Sequence, residues 1–277
     1  MIEVAGLTKN YGEIRALHNV SFSIADGEVF GLLGPNGAGK TTTIKILTTL
    51  SNPDAGRCVI DGYDISGSPH EIRKRIGVVP QENNLDRELS AYENLLIYGM
   101  LHSVKERGRR IREVLETVGL WERRDSVVQH FSGGMQRRLI LARALLPEPS
   151  ALFLDEPSVG LDPQIRRHIW DVIRKIRKDR RTVVITTHYI EEAEALCDRV
   201  GILSKGRVIA LDAPGRLKEQ VGDYVVEFVD EDGRLVQHVC RSRAEADEKA
   251  RSIEKAVTIR QANLEDVFIK LTGERIE

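Results

Sequence analysis

The sequence lacks most features of a secreted, membrane-spanning or nucleic-acid-binding chain. Its 277 residues include only three cysteines, Cys58, Cys197 and Cys240. They have neither metal-ligand nor disulfide spacing, so we expect core thiols in a reducing compartment. No apolar run approaches the ~20 residues that a membrane helix needs, and the first residues lack the basic start and apolar stretch of a signal peptide. The 41 basic and 42 acidic residues balance, so we expect no nucleic-acid partner.

Short apolar segments alternate with helical ones through the first 215 residues. Candidate strands are 28–33, 75–81, 151–154, 182–186 and 200–203. Helices are predicted over 42–50, 135–146 and, as one charged stretch, 90–121. The inward positions of that stretch are predicted to be Leu95, Leu96, Ile111, Val114, Leu115 and Val118. Asp26-Gly27, after an alternating run, is typical of a hairpin turn. The alternation predicts an α/β fold with a mostly parallel sheet covered on both faces.

The character of the chain changes near residues 213–215. Beyond them, 224–229 and 235–239 are predicted as paired strands, 243–255 as a helix, 257–260 as a strand and 264–271 as a helix. We therefore expect a first domain over residues 1–215 and a small C-terminal α+β domain over 216–277.

A glycine-rich loop follows the apolar strand at 28–33. Its sequence is Gly34-Pro35-Asn36-Gly37-Ala38-Gly39-Lys40-Thr41. The glycines let the backbone N–H groups point at phosphate oxygens, Lys40 adds a charge, and the Thr41 hydroxyl can ligate Mg²⁺. The following helix presents its positive end. The alternative, a chance glycine-rich turn, does not account for the strand before the loop and the helix after it.

Two acidic residues, Asp155 and Glu156, follow the apolar strand predicted at 151–154. Asp155 is predicted to hold Mg²⁺ through water, and Glu156 to act as general base toward the attacking water. The alternative is that both cap a helix near Pro157, because acids favour a helix start.

A third motif, Ser132-Gly133-Gly134, precedes the helix at 135–146. A serine hydroxyl and free N–H groups at a helix start form an anion site. An ordinary helix cap is the alternative. Because the first loop already accommodates one triphosphate, we expect this second site to serve a nucleotide held by another subunit.

In this order, the motifs resemble those of the ATP-binding subunits of ABC transporters, over about residues 2–215. The resemblance implies a P-loop NTPase fold with an antiparallel β subdomain, a helical subdomain at about 85–150, and ATP and Mg²⁺ as cofactors. It implies that Tyr11 stacks on adenine, Gln81 reaches Mg²⁺ and the water, and His188 contacts the γ-phosphate. Residues 158–162, with Asp162, resemble the loop that crosses the dimer interface. ATP-binding residues are then Tyr11, Gly34, Pro35, Asn36, Gly37, Ala38, Gly39, Lys40, Thr41 and Thr42. The implied catalytic residues are Glu156, His188 and Gln81. The implied metal ligands are Thr41, Gln81 and Asp155. The residues that would contact the partner's ATP are Ser132, Gly133, Gly134 and Met135.

The third motif departs from the family pattern at both ends. Phe131 replaces a leucine, which keeps an apolar anchor. Met135 replaces a glutamine, with Gln136 one place later. The loss of that amide puts the strength of the dimer in question, but the serine and glycines are intact.

The segment 262–273 resembles the ending of ATPase subunits of ABC-2 type exporters, the group of drug-resistance-like, polysaccharide and sodium exporters. The resemblance implies a dimer of this chain, or with a related ATPase, on the cytoplasmic face of the cell membrane. Separate transmembrane subunits would dock near 82–100, with Tyr92, Leu95, Leu96 and Tyr98 as candidate contacts. The alternative is that these four side chains pack inside the helical layer, because apolar helix stripes usually face a core. An importer ATPase and a non-transport ABC ATPase stay open. A GTP-dependent switch is disfavoured, because the guanine-reading Asn-Lys-x-Asp motif is missing. The transported substrate contacts the membrane chain and is not encoded here.

Overall fold

The computed structural model describes residues 1–178 and 180–274, which form three β-sheets and the helices around them. The strands are β1 (Ile2–Tyr11), β2 (Ile14–Ile24), β3 (Val29–Leu33), β4 (Ala55–Ile60), β5 (Tyr63–Asp64), β6 (Ile76–Val79), β7 (Ala151–Asp155), β8 (Thr182–Thr187), β9 (Arg199–Ser204), β10 (Arg207–Asp212), β11 (Tyr224–Val229), β12 (Leu235–Cys240) and β13 (Val257–Gln261). The helices are α1 (Lys40–Leu47), α2 (Pro69–Arg73), α3 (Ala91–Leu101), α4 (Arg107–Thr117), α5 (Gly133–Leu145), α6 (Pro163–Lys178), α7 (Ile190–Leu196), α8 (Pro214–Glu219), α9 (Arg243–Arg251) and α10 (Leu264–Thr272).

The central sheet has the strand order β10-β9-β3-β8-β7-β6. The pairs from β9 to β6 are parallel, and β10 adds an antiparallel edge to β9. Every residue of β3, β7 and β8 is buried, as expected where helices cover both faces of a parallel sheet. The predicted mostly parallel α/β fold is confirmed.

The predicted hairpin at Asp26-Gly27 is wrong. A turn forms there, but it joins two sheets: β2 pairs with β1 in the antiparallel sheet β2-β1-β4-β5, whereas β3 pairs with β8 and β9. The reason is that β3 is apolar on both faces, so it is buried in the middle of the central sheet.

The helical region contains α3, α4 and α5. The single helix predicted over 90–121 is two helices, because Ser103 and Glu106 adopt left-handed backbone angles between them. Ser90 and Glu93 form a capping box that starts α3. Five of the predicted inward positions are buried and Leu96 is half-buried: Leu95, Ile111, Val114, Leu115 and Val118.

The C-terminal region contains a sheet of order β12-β11-β13 with α9 packed against it. A small cluster around Val226, Cys240 and Ala246 forms its interior. In contrast, α10 returns to the first region, where Val267 and Phe268 join the main core. The domain boundary at residue 215 stays a prediction. The packing of α10, however, is against the core of residues 1–215. The three cysteines are buried and unpaired, and burial raises the pKa of Cys58 to about 12.

Candidate active site

Four neighbouring strands carry the site residues to one edge of the central sheet. The carboxyl ends of β3, β8, β7 and β6 lead into Gly34, His188, Glu156 and Gln81 respectively. In open α/β sheets, ligands bind outside the carboxyl ends of parallel strands. Residues separated by more than a hundred positions in the chain therefore meet because of strand order.

The phosphate loop connects β3 to α1 in a conformation that presents backbone donors. Gly37 (φ 78°) and Gly39 (φ 106°) are both left-handed, a region that glycine adopts without strain. No side chain in the described part of the chain caps α1, so its first N–H groups are available to an anion.

Lys40 is buried at the start of α1, with 4% of its surface exposed. Its Nζ donates to the carbonyl oxygens of Gly34 (2.7 Å) and Pro35 (3.0 Å). It also lies 3.2 Å from Glu156 Oε1. The loop thus holds its own lysine folded back toward the place where a triphosphate chain would lie.

Glu156 occupies the middle of the site. Its Oε1 lies between Lys40 and His188, whose Nδ1 is 3.4 Å away. Its backbone has φ 48°, unusual for a residue with a side chain, and its N–H is fixed by the carbonyl and hydroxyl oxygens of Thr186, both at 3.1 Å. A strained, fully anchored backbone holding one carboxylate is typical of a functional position.

Asp155 and Thr41 form an oxygen-donor pair next to this carboxylate. Thr41 Oγ1 is 3.5 Å from Asp155 Oδ1, which also accepts from the Thr186 hydroxyl at 2.5 Å. A hydroxyl and a carboxylate are the hard oxygen ligands that Mg²⁺ prefers, supplemented by water and substrate phosphates. The residues therefore fit the predicted magnesium site.

Tyr11 and Gln81 lie at the periphery. The Gln81 side chain is exposed after β6, and within the described residues it makes no hydrogen bond. Tyr11, 48% exposed, lies at the end of β1, opposite Ile14 in the β1–β2 pair. The structure gathers Lys40, Thr41, Asp155, Glu156 and His188, and leaves these two side chains outside that cluster.

The signature turn, defined as residues 131–135, starts helix α5 and exposes Ser132 and Gly133. Ser132 caps the helix by accepting from the Met135 N–H at 3.3 Å. A Cβ on Gly133 would meet nothing within 4 Å, whereas a Cβ on Gly134 would lie 2.4 Å from Ile165 of α6. Phe131 is buried and Met135 packs against the same core. Gly134 is therefore needed for packing, whereas Gly133 leaves an open surface.

Asp162 has a local role that the sequence did not show. Its Oδ1 accepts from the N–H groups of Gln164 (3.1 Å) and Ile165 (2.9 Å), which caps α6. The loop 158–162 is therefore anchored at both ends, since Ser158 is fully buried and donates to Glu192.

Sequence reasoning missed two buried charged residues. Arg137 donates to backbone carbonyls at the carboxyl ends of β7 and β6. Glu192 accepts from Ser158 Oγ and from Trp170 Nε1 (3.0 Å), and burial raises its pKa above the ordinary value. A signal existed for each. Arg137 shares a helix face with buried Ile140 and Leu141, and Glu192 with Leu196.

Known proteins resemble this chain in sequence and in fold. The family model described as ABC transporter matches residues 17–159. Daunorubicin resistance ATP-binding protein DrrA3 of Streptomyces coeruleorubidus is 39% identical, over 99% of this chain and 96% of its own. Nod factor export ATP-binding protein I of Ralstonia nicotianae is also 39% identical, over 99% and 94%. The dimeric ATP-binding cassette MJ0796, in a post-hydrolysis state bound to ADP and Pi, has a TM-score of 0.70 and 31% identity, over 77% of this chain and 98% of that one.

The chain belongs to the ABC transporter family, and it is an ATP-binding, ATP-hydrolysing subunit of that family. The predicted P-loop NTPase architecture, with its antiparallel sheet and helical region, is confirmed. Among the residues that the structure describes, no helix is both long and apolar enough to cross a bilayer.

Proposed function

We propose that this chain powers export through separate transmembrane subunits, working as a dimer that binds two ATP molecules between its protomers. The observation that carries the proposal is the cluster in which Glu156 lies between Lys40 and His188, together with a signature turn that exposes Ser132 and Gly133. Export is supported by the relatives, whose names refer to drug resistance and Nod factor export.

The proposed chemistry starts from the phosphate loop. Its N–H groups and Lys40 bind the β- and γ-phosphates, and Thr41 with Asp155 and Gln81 would hold Mg²⁺, which neutralises phosphate charge when bound. Glu156 accepts the proton of the attacking water as general base. His188, just after the neighbouring strand β8, contacts the γ-phosphate, and its Nδ1 lies 3.4 Å from Glu156 Oε1. Tyr11 stacks on the adenine ring from the β1–β2 hairpin.

The dimer is proposed because one chain carries two phosphate-binding helix starts. The start of α1 binds the chain's own ATP, and the signature turn at the start of α5 meets the partner's. Closure of the dimer depends on the γ-phosphate, because a ligand shifts the balance between the open and closed states only when its affinities for them differ. The partner is a second copy or a related ATPase subunit.

Transmembrane subunits are proposed to dock on the exposed side of α3. The predicted contact Leu95 is wrong, because that side chain is fully buried, while Tyr92, Leu96 and Tyr98 are half-buried. The exposed apolar residues of α3 are instead Ile97, Met100 and Leu101, the last being 78% exposed. Leu101 borders a groove of about 730 Å³ that His70 and Arg73 also line. This surface would place the chain on the inner face of the cell membrane.

The test is the oligomeric state of Glu156→Gln measured by size-exclusion chromatography with light scattering. Removing the base stops hydrolysis without removing a phosphate contact, so Mg²⁺-ATP should produce a dimer and Mg²⁺-ADP a monomer. The native chain should hydrolyse ATP, and the variant should lose at least ~100-fold in rate. A variant that hydrolyses ATP at the native rate contradicts the assignment of Glu156 as general base. A variant that stays monomeric with Mg²⁺-ATP contradicts the proposal that this chain dimerises on its own.

A further inference from the structure

Arg137 is a buried cation whose contacts are made of backbone. It lies at the start of the second turn of α5, three residues after Gly134, and only 9% of its surface is exposed. Burial lowers its pKa to about 10, with Asp155, Glu192 and Glu156 acting in the opposite direction. The guanidinium is therefore charged at neutral pH. A buried charge is costly unless it is fully hydrogen-bonded, so its partners indicate what it does.

The first group of partners follows strand β7. Nη2 donates to the carbonyl oxygens of Asp155 and Glu156, both at 2.9 Å, and Nε donates to that of Pro157 at 2.9 Å. These three carbonyls belong to the segment that carries the proposed general base. Because the Glu156 N–H is held by Thr186, this residue is fixed on both sides of its strained backbone.

The second group follows strand β6. Nη1 donates to the carbonyl oxygens of Pro80 and, at 3.4 Å, of Gln81. With these, five contacts match the five N–H donors of a guanidinium. Within the described residues every hydrogen-bond acceptor of Arg137 is a main-chain carbonyl, so the side chain orients the backbone of two loops instead of neutralising a particular acid.

The position of Arg137 joins these loops to the signature turn. Arg137 follows the signature turn by one helical turn of α5, and Gly134 packs directly against Ile165. A shift of the α5 start is transmitted through a rigid helix and a planar five-donor fork. Lysine has three donors on a flexible stem and cannot reproduce this fork.

We propose that Arg137 is a positioning residue that couples the signature turn, where the partner's nucleotide is met, to the Gln81 and Glu156 loops of its own site. This inference rests on the proposed dimer. Binding of the partner's ATP then sets the geometry of the chain's own general base, so that hydrolysis follows closure.

The experiment compares R137K with R110K in the full chain. Arg110 on α4 is a matched control, because its side chain is 11% exposed and it donates to the Leu145 carbonyl at the other end of α5. R137K should lower kcat roughly 10- to 100-fold, the effect of losing hydrogen bonds from a charged donor. KM for ATP and Tm should stay close to those of R110K. The double variant R137K/E156Q should still form the ATP-dependent dimer, because the signature turn itself is intact.

A second readout is hydrogen exchange in the E156Q background. With ATP, the amides of residues 81–83 and 155–156 should become protected together with those of 132–135. R137K should leave 132–135 protected while 81–83 and 155–156 exchange freely. R137Q, which has an amide donor and no buried charge, is measured the same way if R137K proves unstable.

Three results overturn the inference: an unchanged kcat in R137K, equal losses in R137K and R110K with lowered Tm, or loss of the dimer in R137K/E156Q. If E156Q itself stays monomeric with ATP, the proposed dimer fails, and that outcome is separate from any effect of Arg137.

Discussion

The two anion-binding helix starts of this chain differ in completeness. At α1 the start of the helix supplies a buried lysine and a hydroxyl, and the end of β7 brings two carboxylates next to them. At α5 there are only a capping serine and two glycines, one of them next to empty space. A self-contained site has its charges supplied from neighbouring strands. A site that meets a ligand on another protomer needs only donors and a clear approach. This contrast supports the proposal that one chain contributes halves to two different sites.

Removing the charge from the complete site should have the largest effect. Lys40→Ala deletes the cation that faces the phosphates, and we expect a loss of ATP affinity of roughly 10- to 100-fold, as for a charged hydrogen-bond donor. Equilibrium binding of a fluorescent ATP analogue measures it. Lys45, exposed in the last turn of α1, provides the control Lys45→Ala. Equal affinity in the two variants would contradict the phosphate-loop assignment.

The half-site can be tested with its two glycines. Gly133→Ala adds a methyl group to open space, so the isolated chain should keep its Tm, yet the methyl would obstruct a partner's nucleotide and prevent the ATP-dependent dimer. Gly134→Ala places the methyl 2.4 Å from Ile165 and should destabilise the fold by about 1–3 kcal/mol through overpacking.

Thermal unfolding and light scattering in the Glu156→Gln background separate the two glycine effects. If Gly133→Ala dimerises normally with ATP, the signature turn is only a helix cap.

The smallest effect concerns Glu192 of α7, which accepts hydrogen bonds from Ser158 and from Trp170 of α6. Burial raises its pKa above the ordinary 4.5, so the folded chain holds this proton more tightly than the unfolded chain. Stability from this group is present below pH 4.5 and is lost as pH rises through the folded-state pKa. Glu192→Gln keeps the acceptor for Ser158 and Trp170 without a titrating proton. We expect it to exceed the native Tm by a few degrees at pH 8 and to match it near pH 4.

Glu191→Gln is the control for that comparison, since the Glu191 side chain is 82% exposed. If the difference in Tm between Glu192→Gln and the native chain does not change with pH, the carboxyl of Glu192 is not held protonated by burial.

The sequence by itself determined the elements whose signals are local. Glycines at 34, 37 and 39 before a lysine predict a phosphate loop, the apolar runs at 151–154 and 182–186 predict buried strands, and the periodic Ile111, Val114, Leu115 and Val118 predict a helix face. Each depends on residues close together in the sequence. The two strands and the helix face were confirmed in the fold, and the glycine-rich loop lies between β3 and α1 as expected.

Only the tertiary structure decided which distant groups meet. Strand order places β8 between β3 and β7, and this brings His188 and Lys40 to the same oxygen of Glu156. It also turned the expected hairpin at Asp26-Gly27 into a crossing between sheets, and gave Arg137 five carbonyl partners from two loops. The physical reason is that local periodicity specifies which face is apolar, whereas strand pairing and the burial of polar groups depend on partners far away in the chain.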